Sequence, residues 1–417
     1  MALDPATKIL TDLAIILLLG LIVTLFSKKL KISNILLLML TGITLGKVIP
    51  QTSGSFQFSS DFLVAVAVLT LVMVVFDGSS RFKLKMVNLF SVGAIKVTSL
   101  FLLCNLIFIS FFTMLLFFQP FTVESVLLSV LFAFVMSGTD PGSVFIMLKS
   151  KTNKVIEFLE VEAIINTPIM VIFPFIILDI LNNLQTADVA RAVVNQALPL
   201  LQQIVVGIGA GMVIGIIVLK TMKRFYSQQF SPVALITSAL LAYILAENLA
   251  GNGVLAVATL GLFFGNIYVK EKENLQEFNT MLNSSLIIIV FILIGLIIEV
   301  DFSLGLLVKS LLLFGILILT RLLSLALVFR KQHEQKQEQY RFNTKELLFM
   351  ACSMPKGIAA AVVAFSLSVF TIAPGLAPMM HTVLQLIVVM MVYSLIFSSV
   401  VDRFSKKLIR IKIEEGE

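Results

Sequence analysis

Long apolar segments follow one another along almost the whole of this 417-residue chain. A helix needs about 20 largely apolar residues to cross the hydrocarbon core of a bilayer, and a spanning helix satisfies all of its own backbone groups there. Short polar connections separate thirteen such segments, so the sequence predicts an all-α polytopic membrane protein with about 13 transmembrane helices. The segments are residues 7–27, 33–49, 60–77, 88–118, 123–148, 154–182, 196–220, 231–249, 252–268, 279–299, 303–329, 345–370 and 377–401.

Basic residues are distributed unequally between the connections that would lie on the two sides of the membrane. Alternate connections and the C-terminal tail together hold 24 of the 31 Lys and Arg residues. Because cytoplasmic connections carry the excess of basic residues, this pattern predicts a cytoplasmic C-terminus and, with an odd number of helices, an N-terminus outside. The same asymmetry explains the net charge of +7 without nucleic acid as a partner. We therefore expect an integral protein of the cell membrane.

The motifs of nucleotide-driven and hydrolytic enzymes are absent from the sequence. It contains no Walker loop, no G-x-G-x-x-G and no H-E-x-x-H, the patterns that would bind phosphates or a catalytic zinc ion. Cys104 and Cys352 both lie in apolar segments, which favours neither a disulfide framework nor a metal site. We expect a protein that is not an enzyme and that uses no cofactor.

The fifth apolar segment is interrupted by the hexapeptide at 137–142, which reads Ser-Gly-Thr-Asp-Pro-Gly. A carboxylate at the centre of a membrane helix costs about 2.5–3.5 kcal/mol on insertion scales, and Pro141 removes a backbone donor. Transporters place ion sites at such broken helices. We therefore expect Asp140 to bind a cation or a proton and Thr139 to add a neutral oxygen ligand for a monovalent cation. The alternative is a proline kink with a structural aspartate.

Polar residues in the next segment share one helical face. Glu162, Asn166 and Thr167 stand at i, i+4 and i+5, a spacing that brings them roughly together on a helix. Asn166 and Thr167 can contribute oxygen ligands. Glu162 can either bind an ion directly or hold a buried salt bridge, and the sequence leaves both roles open.

A second interruption, Met354-Pro355-Lys356-Gly357, lies in the twelfth segment. Two broken helices in opposite halves of a chain indicate an inverted-repeat transporter. Lys356 is expected to face the ends of the half-helices and to neutralise a carboxylate, for which Glu162 is a candidate, and a proton relay is the alternative role. Arg321, inside the eleventh segment, is expected to extend its side chain towards the inner surface.

Together these residues resemble the motifs of the prokaryotic sodium/proton exchangers of the cation:proton antiporter superfamily, in its thirteen-helix, electroneutral branch. The similarities run from the fifth to the twelfth helix in the order of the family. They are Thr139-Asp140-Pro141, Glu162-Ala-Ile-Ile-Asn166-Thr167-Pro168, Asn252-Gly253-Val-Leu-Ala-Val, Gly261-Leu-Phe-Phe-Gly265-Asn266, Phe291-Ile-Leu-Ile-Gly295 and Met354-Pro355-Lys356-Gly357.

The resemblance implies a division of the chain into a moving core, in which the two broken helices cross, and a fixed scaffold. Scaffold and dimerisation helices would come from 1–87 and 183–300, and core helices from 88–182 and 301–402, followed by a short basic cytoplasmic tail at 403–417. The core would move like an elevator within a homodimer and expose one site alternately to each side.

Two positions depart from the family pattern. Thr167 stands where the family has its ion-carrying Asp, and Lys356 stands where it has Arg. The resemblance then implies an electroneutral antiporter in which Asp140 exchanges a monovalent cation, Na+ before K+ or Li+, for a proton. The alternative is a divergent relative that has lost this exchange and acts as a sensor or carries another solute.

Overall fold

In a computed structural model the chain forms a bundle of α-helices. The structure describes residues 5–30, 33–48, 56, 58–81, 90–139, 154–183, 189–224, 227, 230–267, 271–298, 300–301, 303–330, 342–370 and 372–404, and these contain no β-strand. Within that part of the chain there are fourteen α-helices, with a short 3-10 turn at Pro374–Leu376 before the last. They are α1 (Pro5–Leu30), α2 (Asn34–Val48), α3 (Ser60–Ser80), α4 (Phe90–Phe117), α5 (Val123–Ser137), α6 (Lys154–Asn183), α7 (Val189–Arg224), α8 (Phe230–Asn248), α9 (Gly253–Asn266), α10 (Lys272–Ile297), α11 (Leu304–Arg330), α12 (Thr344–Cys352), α13 (Ile358–Val369) and α14 (Ala377–Arg403).

The described helices have the length and composition of membrane-spanning segments. Eight of them are long and apolar enough to cross a bilayer, and five shorter apolar helices accompany these. Each of the thirteen segments predicted from the sequence overlaps one of them. The prediction of an all-α polytopic membrane protein is therefore confirmed.

The predicted interruption of the twelfth segment separates α12 from α13. Residues 353–357 form no helix between them, because Pro355 lacks the backbone donor that a continuous helix would use. Gly357 has φ −107° and ψ −137°, outside the helical region, and α13 starts immediately after it.

Helix α5 ends at the other predicted interruption. Thr122 and Ser125 form a capping box that starts this helix, and Gly138 follows its end with the extended angles φ −64° and ψ 146°. A Cβ atom at Gly138 would overlap the side chain of Met170 in α6. The glycine therefore lets α6 approach the end of α5. Asp140 and Pro141 lie outside the described residues.

The helices fall into two groups according to the neighbours against which they pack. The first group comprises α4, α5, α6, α11 and α14, in which α4 packs against α5, α6 and α11, and α14 against α5 and α11. In the other group α2 packs against α10, and α9 packs against α3, α7 and α8. The two groups are joined by α13, which packs on α3 and α10 as well as on α6 and α14. They are also joined by contacts of α6 with α3, α7 and α9 and of α14 with α2.

Candidate ion-binding site at the broken helices

The end of α5 is held by side chains from two other elements. The Lys356 Nζ atom donates to the Met136 and Gly138 carbonyl oxygens at 2.6 and 2.5 Å, and the Asn166 Nδ2 atom donates to the Ser137 carbonyl oxygen between them. The last carbonyls of a helix have no partner within it, and they form its partly negative end. A buried ammonium and an amide therefore satisfy this helix end, and α5, α6 and the α12–α13 break meet there.

The main chain of Lys356 is fixed by the last helix. Its backbone N–H donates to the Ser394 Oγ atom at 2.9 Å, and that hydroxyl donates to the Met391 carbonyl oxygen at 2.9 Å. The Lys356 residue is only 1% exposed. Since α14 anchors the break and α5 receives the ammonium, Lys356 links three elements of the bundle.

Two buried oxygen atoms beside this helix end have no hydrogen-bond partner among the described residues. They are the Thr139 Oγ1 and Asn166 Oδ1 atoms. Thr139 is 8% exposed and Asn166 is fully buried. Buried polar atoms are normally paired, and leaving one unpaired costs about 1–3 kcal/mol. Oxygen atoms of this kind suit a hard monovalent cation, which would replace the missing donor.

Glu162 is paired with Arg321 of α11, so the predicted pairing of Glu162 with Lys356 is wrong. Both guanidinium Nη atoms donate to the two Glu162 carboxylate oxygens, and both side chains are fully buried. The Arg321 Cζ atom lies 4.9 Å from the ring centroid of Phe101 in α4. Arg321 therefore points into the bundle and not towards the inner surface. The sequence did contain a signal for a buried ion pair of Arg321, because a charged residue within a membrane segment almost always faces the bundle interior and pairs with another group.

Asn105 of α4 is a polar contact that the sequence reasoning missed. Its Nδ2 atom donates to the Ala133 carbonyl oxygen of α5 at 2.8 Å, and the residue is fully buried. An asparagine in the middle of an apolar segment was the signal that could have found it, since interhelical hydrogen bonds of amides stabilise membrane bundles.

The structure describes only some of the predicted site residues. Thr139 follows the end of α5, Asn166 donates to the Ser137 carbonyl oxygen at that end, and Pro355 precedes Lys356 in the α12–α13 break. Glu162 lies four residues before Asn166 in α6. Thr167 belongs to the same helix, but its side chain lies outside the described part, as does the whole of Asp140.

Sequence comparison places most of the chain within one family. Residues 13–407 match the family described as "Sodium/hydrogen exchanger, transmembrane". A low-affinity Na+/H+ antiporter, NhaS1 of Synechocystis sp., is 31% identical over 141 residues, a match covering 33% of this chain and 26% of that protein. Na+/H+ antiporter 1 of Methanocaldococcus jannaschii is 22% identical over 381 residues, covering 86% of this chain and 82% of that protein.

Structure comparison finds the same fold in a solved protein. The structure of the sodium proton antiporter MjNhaP1 from Methanocaldococcus jannaschii at pH 8 superposes with a TM-score of 0.73 at 19% sequence identity. The superposition covers 96% of this chain and 99% of that one. The predicted antiporter fold is therefore confirmed.

Proposed function

Because the chain belongs to the sodium/hydrogen exchanger family, we propose that it exchanges a monovalent cation, Na+ in the first place, for a proton across the cell membrane by alternating access. The observation that carries the proposal is the pair of unpartnered buried oxygens, Thr139 Oγ1 and Asn166 Oδ1, beside the broken end of α5. Asp140 follows Thr139 directly in the sequence. A cation held there would have one carboxylate and several neutral oxygens around it.

Competition for one carboxylate is the proposed basis of exchange. Asp140 binds either the cation or the proton, while Thr139, Asn166 and Thr167 supply neutral oxygens to the cation alone. Glu162 does not compete for either ion while both of its oxygens accept from Arg321. A site that must carry one of two ions before it crosses exchanges them one for one.

The proposed moving core consists of residues 88–182 and 301–402, and the scaffold of 1–87 and 183–300. The packing of α4, α5, α6, α11 and α14 against one another supports the core, and the packing of α2 against α10 and of α3 against α9 supports the scaffold. We further propose a homodimer formed through the scaffold, which the mass of the purified protein in detergent would test. A cytoplasmic C-terminus would be tested by fluorescence of a C-terminal fusion that folds only inside the cell.

The experiment that tests the function is proton flux in proteoliposomes. An imposed pH gradient is followed with a dye, and Na+, K+ or Li+ is then added, with wild type compared to Asp140→Asn. We expect Na+ to dissipate the gradient in wild type and not in the variant, because an amide cannot take up the proton. Exchange retained in a folded Asp140→Asn protein would contradict the mechanism, and no response of wild type to any cation would contradict the function.

A further inference from the structure

The Lys356 ammonium donates hydrogen bonds to main-chain carbonyl oxygens of the kind that would coordinate a transported cation. Its bonds to the Met136 and Gly138 carbonyl oxygens, at 2.6 and 2.5 Å, are those of a cation with two carbonyl ligands. An unwound helix end beside an ion site usually offers its carbonyls to the ion. In this structure the Lys356 ammonium bonds these carbonyls.

The candidate ligand oxygens lie next to these carbonyls in the chain and in space. Thr139 follows Gly138 directly, and the Asn166 amide bonds the Ser137 carbonyl oxygen, between the two that bond the ammonium. The free oxygens of Thr139 and Asn166 therefore share one stretch of main chain with a resident positive charge. Two like charges in such a low-dielectric place repel strongly.

The resident charge is a compact group at the end of an unbranched side chain. An ammonium is a point charge with rotatable donors at the end of a four-carbon chain, so its position can change while the main chain stays anchored on Ser394. The other buried cation, Arg321, has no such freedom, because its planar group is held by Glu162 and lies over Phe101. Lys356 is thus the buried cation of the described core that can yield to an incoming ion.

We infer that Lys356 is a tethered competitor of the transported cation, whose ammonium bonds the α5 carbonyls and so weakens cation binding at the Thr139–Asn166 oxygens. This inference rests on the proposed function and adds to it a residue that sets affinity. Weak binding favours release of the ion after each crossing, because affinity differences lie mostly in dissociation rates.

The test is Na+ binding to the purified full-length protein, measured with radioactive 22Na+ at fixed pH. Lys356→Met removes the ammonium and keeps most of the apolar stem, while Lys309→Met removes an exposed lysine of α11 as the matched control. We expect Lys356→Met to bind Na+ about tenfold more tightly, a change of about 1.4 kcal/mol. Its KM for Na+ in exchange falls as well, and its maximal rate falls because release is slower. Lys309→Met keeps wild-type values.

A lysine that only caps α5 gives a different result. The thermal midpoint of Lys356→Met would then fall, and Na+ affinity of the folded protein would stay unchanged or weaken, which would overturn the inference. If Lys356→Met does not fold, the same comparison is made with Lys356→Gln, which is neutral and can still donate to one carbonyl. Absence of Na+ binding in wild type and variants alike, together with no response of wild type to Na+, K+ or Li+ in proteoliposomes, would overturn the proposed function itself, and so the two failures are distinguishable.

Discussion

Two asparagines hold helix α5 at successive turns. Asn105 donates to the Ala133 carbonyl oxygen from α4, and Asn166 donates to the Ser137 carbonyl oxygen from α6. The two acceptors stand four residues apart, one turn of the helix. The Asn105 amide reaches the ordinary part of the helix, whereas the Asn166 amide reaches its last turn, where carbonyls have no partner within the helix. The two asparagines therefore have different roles: Asn105 joins α4 to the middle of α5, whereas Asn166 satisfies a carbonyl at the end of α5.

The hydroxyl of Thr139 is expected to contribute to cation binding and not to folding. Thr139→Val keeps the shape and removes an oxygen that has no partner in the described part of the chain, so stability should change by less than about 1 kcal/mol. A lost contact to an ion is worth about 1.5–3 kcal/mol, which corresponds to a rise of roughly 10- to 100-fold in KM for Na+. Na+-dependent exchange in proteoliposomes measures it.

The control for this prediction is Thr70→Val in α3. The Thr70 hydroxyl donates to the Val66 carbonyl oxygen of its own helix at 2.7 Å, and the residue is fully buried. KM for Na+ should be that of wild type in this variant. An unchanged KM in Thr139→Val as well would remove Thr139 from the proposed ligands.

The buried pair of Glu162 and Arg321 should show strong coupling in stability. Arg321→Met leaves an uncompensated buried carboxylate, and breaking a buried pair in this way costs about 3–5 kcal/mol. Replacing both partners by apolar residues removes that penalty, so Glu162→Leu combined with Arg321→Met should be more stable than Arg321→Met alone. The apparent unfolding midpoint in detergent reports this, and a double variant no more stable than the single one would argue against the pair.

At the scale of elements, the short helix α12 is anchored at both ends. Asn343 and Glu346 form a capping box at its start, and the Glu346 carboxylate also pairs with the Lys154 Nζ atom of α6 at 3.2 Å. After its end come the Ser394 and Lys356 contacts described above. A nine-residue helix is marginal by itself, so these anchors rather than its own propensity explain why the chain can be broken here without loss of order.

Helices α2 and α10 cross so closely that glycine is required on both. A Cβ atom at Gly295 would overlap the Met39 carbonyl oxygen, and one at Gly42 would overlap the Ile292 carbonyl oxygen. Main-chain atoms in the middle of a helix cannot move aside as a flexible side chain can. Such close approach is how membrane helices gain packing energy without a hydrophobic driving force.

Adding one methyl group at this crossing should destabilise the protein. Gly295→Ala forces the two helices apart, and overpacking of this kind costs about 1–3 kcal/mol. Gly315→Ala in α11 is the matched control, because an added Cβ there meets nothing within 4 Å. In the control, helix propensity alone acts, and stability should rise by up to about 1 kcal/mol. Thermal unfolding in the same detergent distinguishes the two, and equal midpoints would contradict the described crossing.

At the scale of the whole molecule, the charged residues of the proposed ion site predict whether transport moves net charge. Asp140 and Glu162 carry formal negative charges, and Arg321 and Lys356 carry formal positive charges, so these four residues of the unloaded site sum to zero. A bound Na+ and a bound proton each add one charge. The two loaded forms therefore have the same charge when they cross.

Exchange should accordingly not respond to membrane potential. Moving one net elementary charge across the membrane is worth about 2.3 kcal/mol per 100 mV, and one-for-one exchange moves none. We expect equal Na+/H+ exchange in proteoliposomes clamped at zero and at a large negative potential with K+ and valinomycin. A potential-dependent end point of the pH change would indicate more than one proton per cation.

The sequence predicted the elements well because the bilayer acts on short stretches of chain. Each spanning helix needs its own apolar residues, and each break needs its own proline or glycine, so segments such as 303–329 or the Pro355 interruption can be read without knowing the neighbours. Helix ends were less certain, and α7 and α10 both extend further than the predicted segments. Charged residues continue α7 at its end and α10 at its start, beyond the apolar part of each helix.

Which buried groups meet was decided by the tertiary structure. The sequence placed Asp140, Glu162, Arg321 and Lys356 inside the membrane segments, but it did not determine which cation faces which carboxylate. Arg321 is 159 positions from Glu162, and Lys356 bonds carbonyls 220 and 218 positions away. Such choices depend on the rotation and depth at which α6, α11 and the α12–α13 break pack together. By itself the sequence determined that this chain spans a membrane with broken, charged helices, since burial of apolar segments is local. Only the packed bundle decided that the arginine neutralises the glutamate while the lysine holds the end of α5, since each contact requires distant helices to be brought within hydrogen-bonding distance.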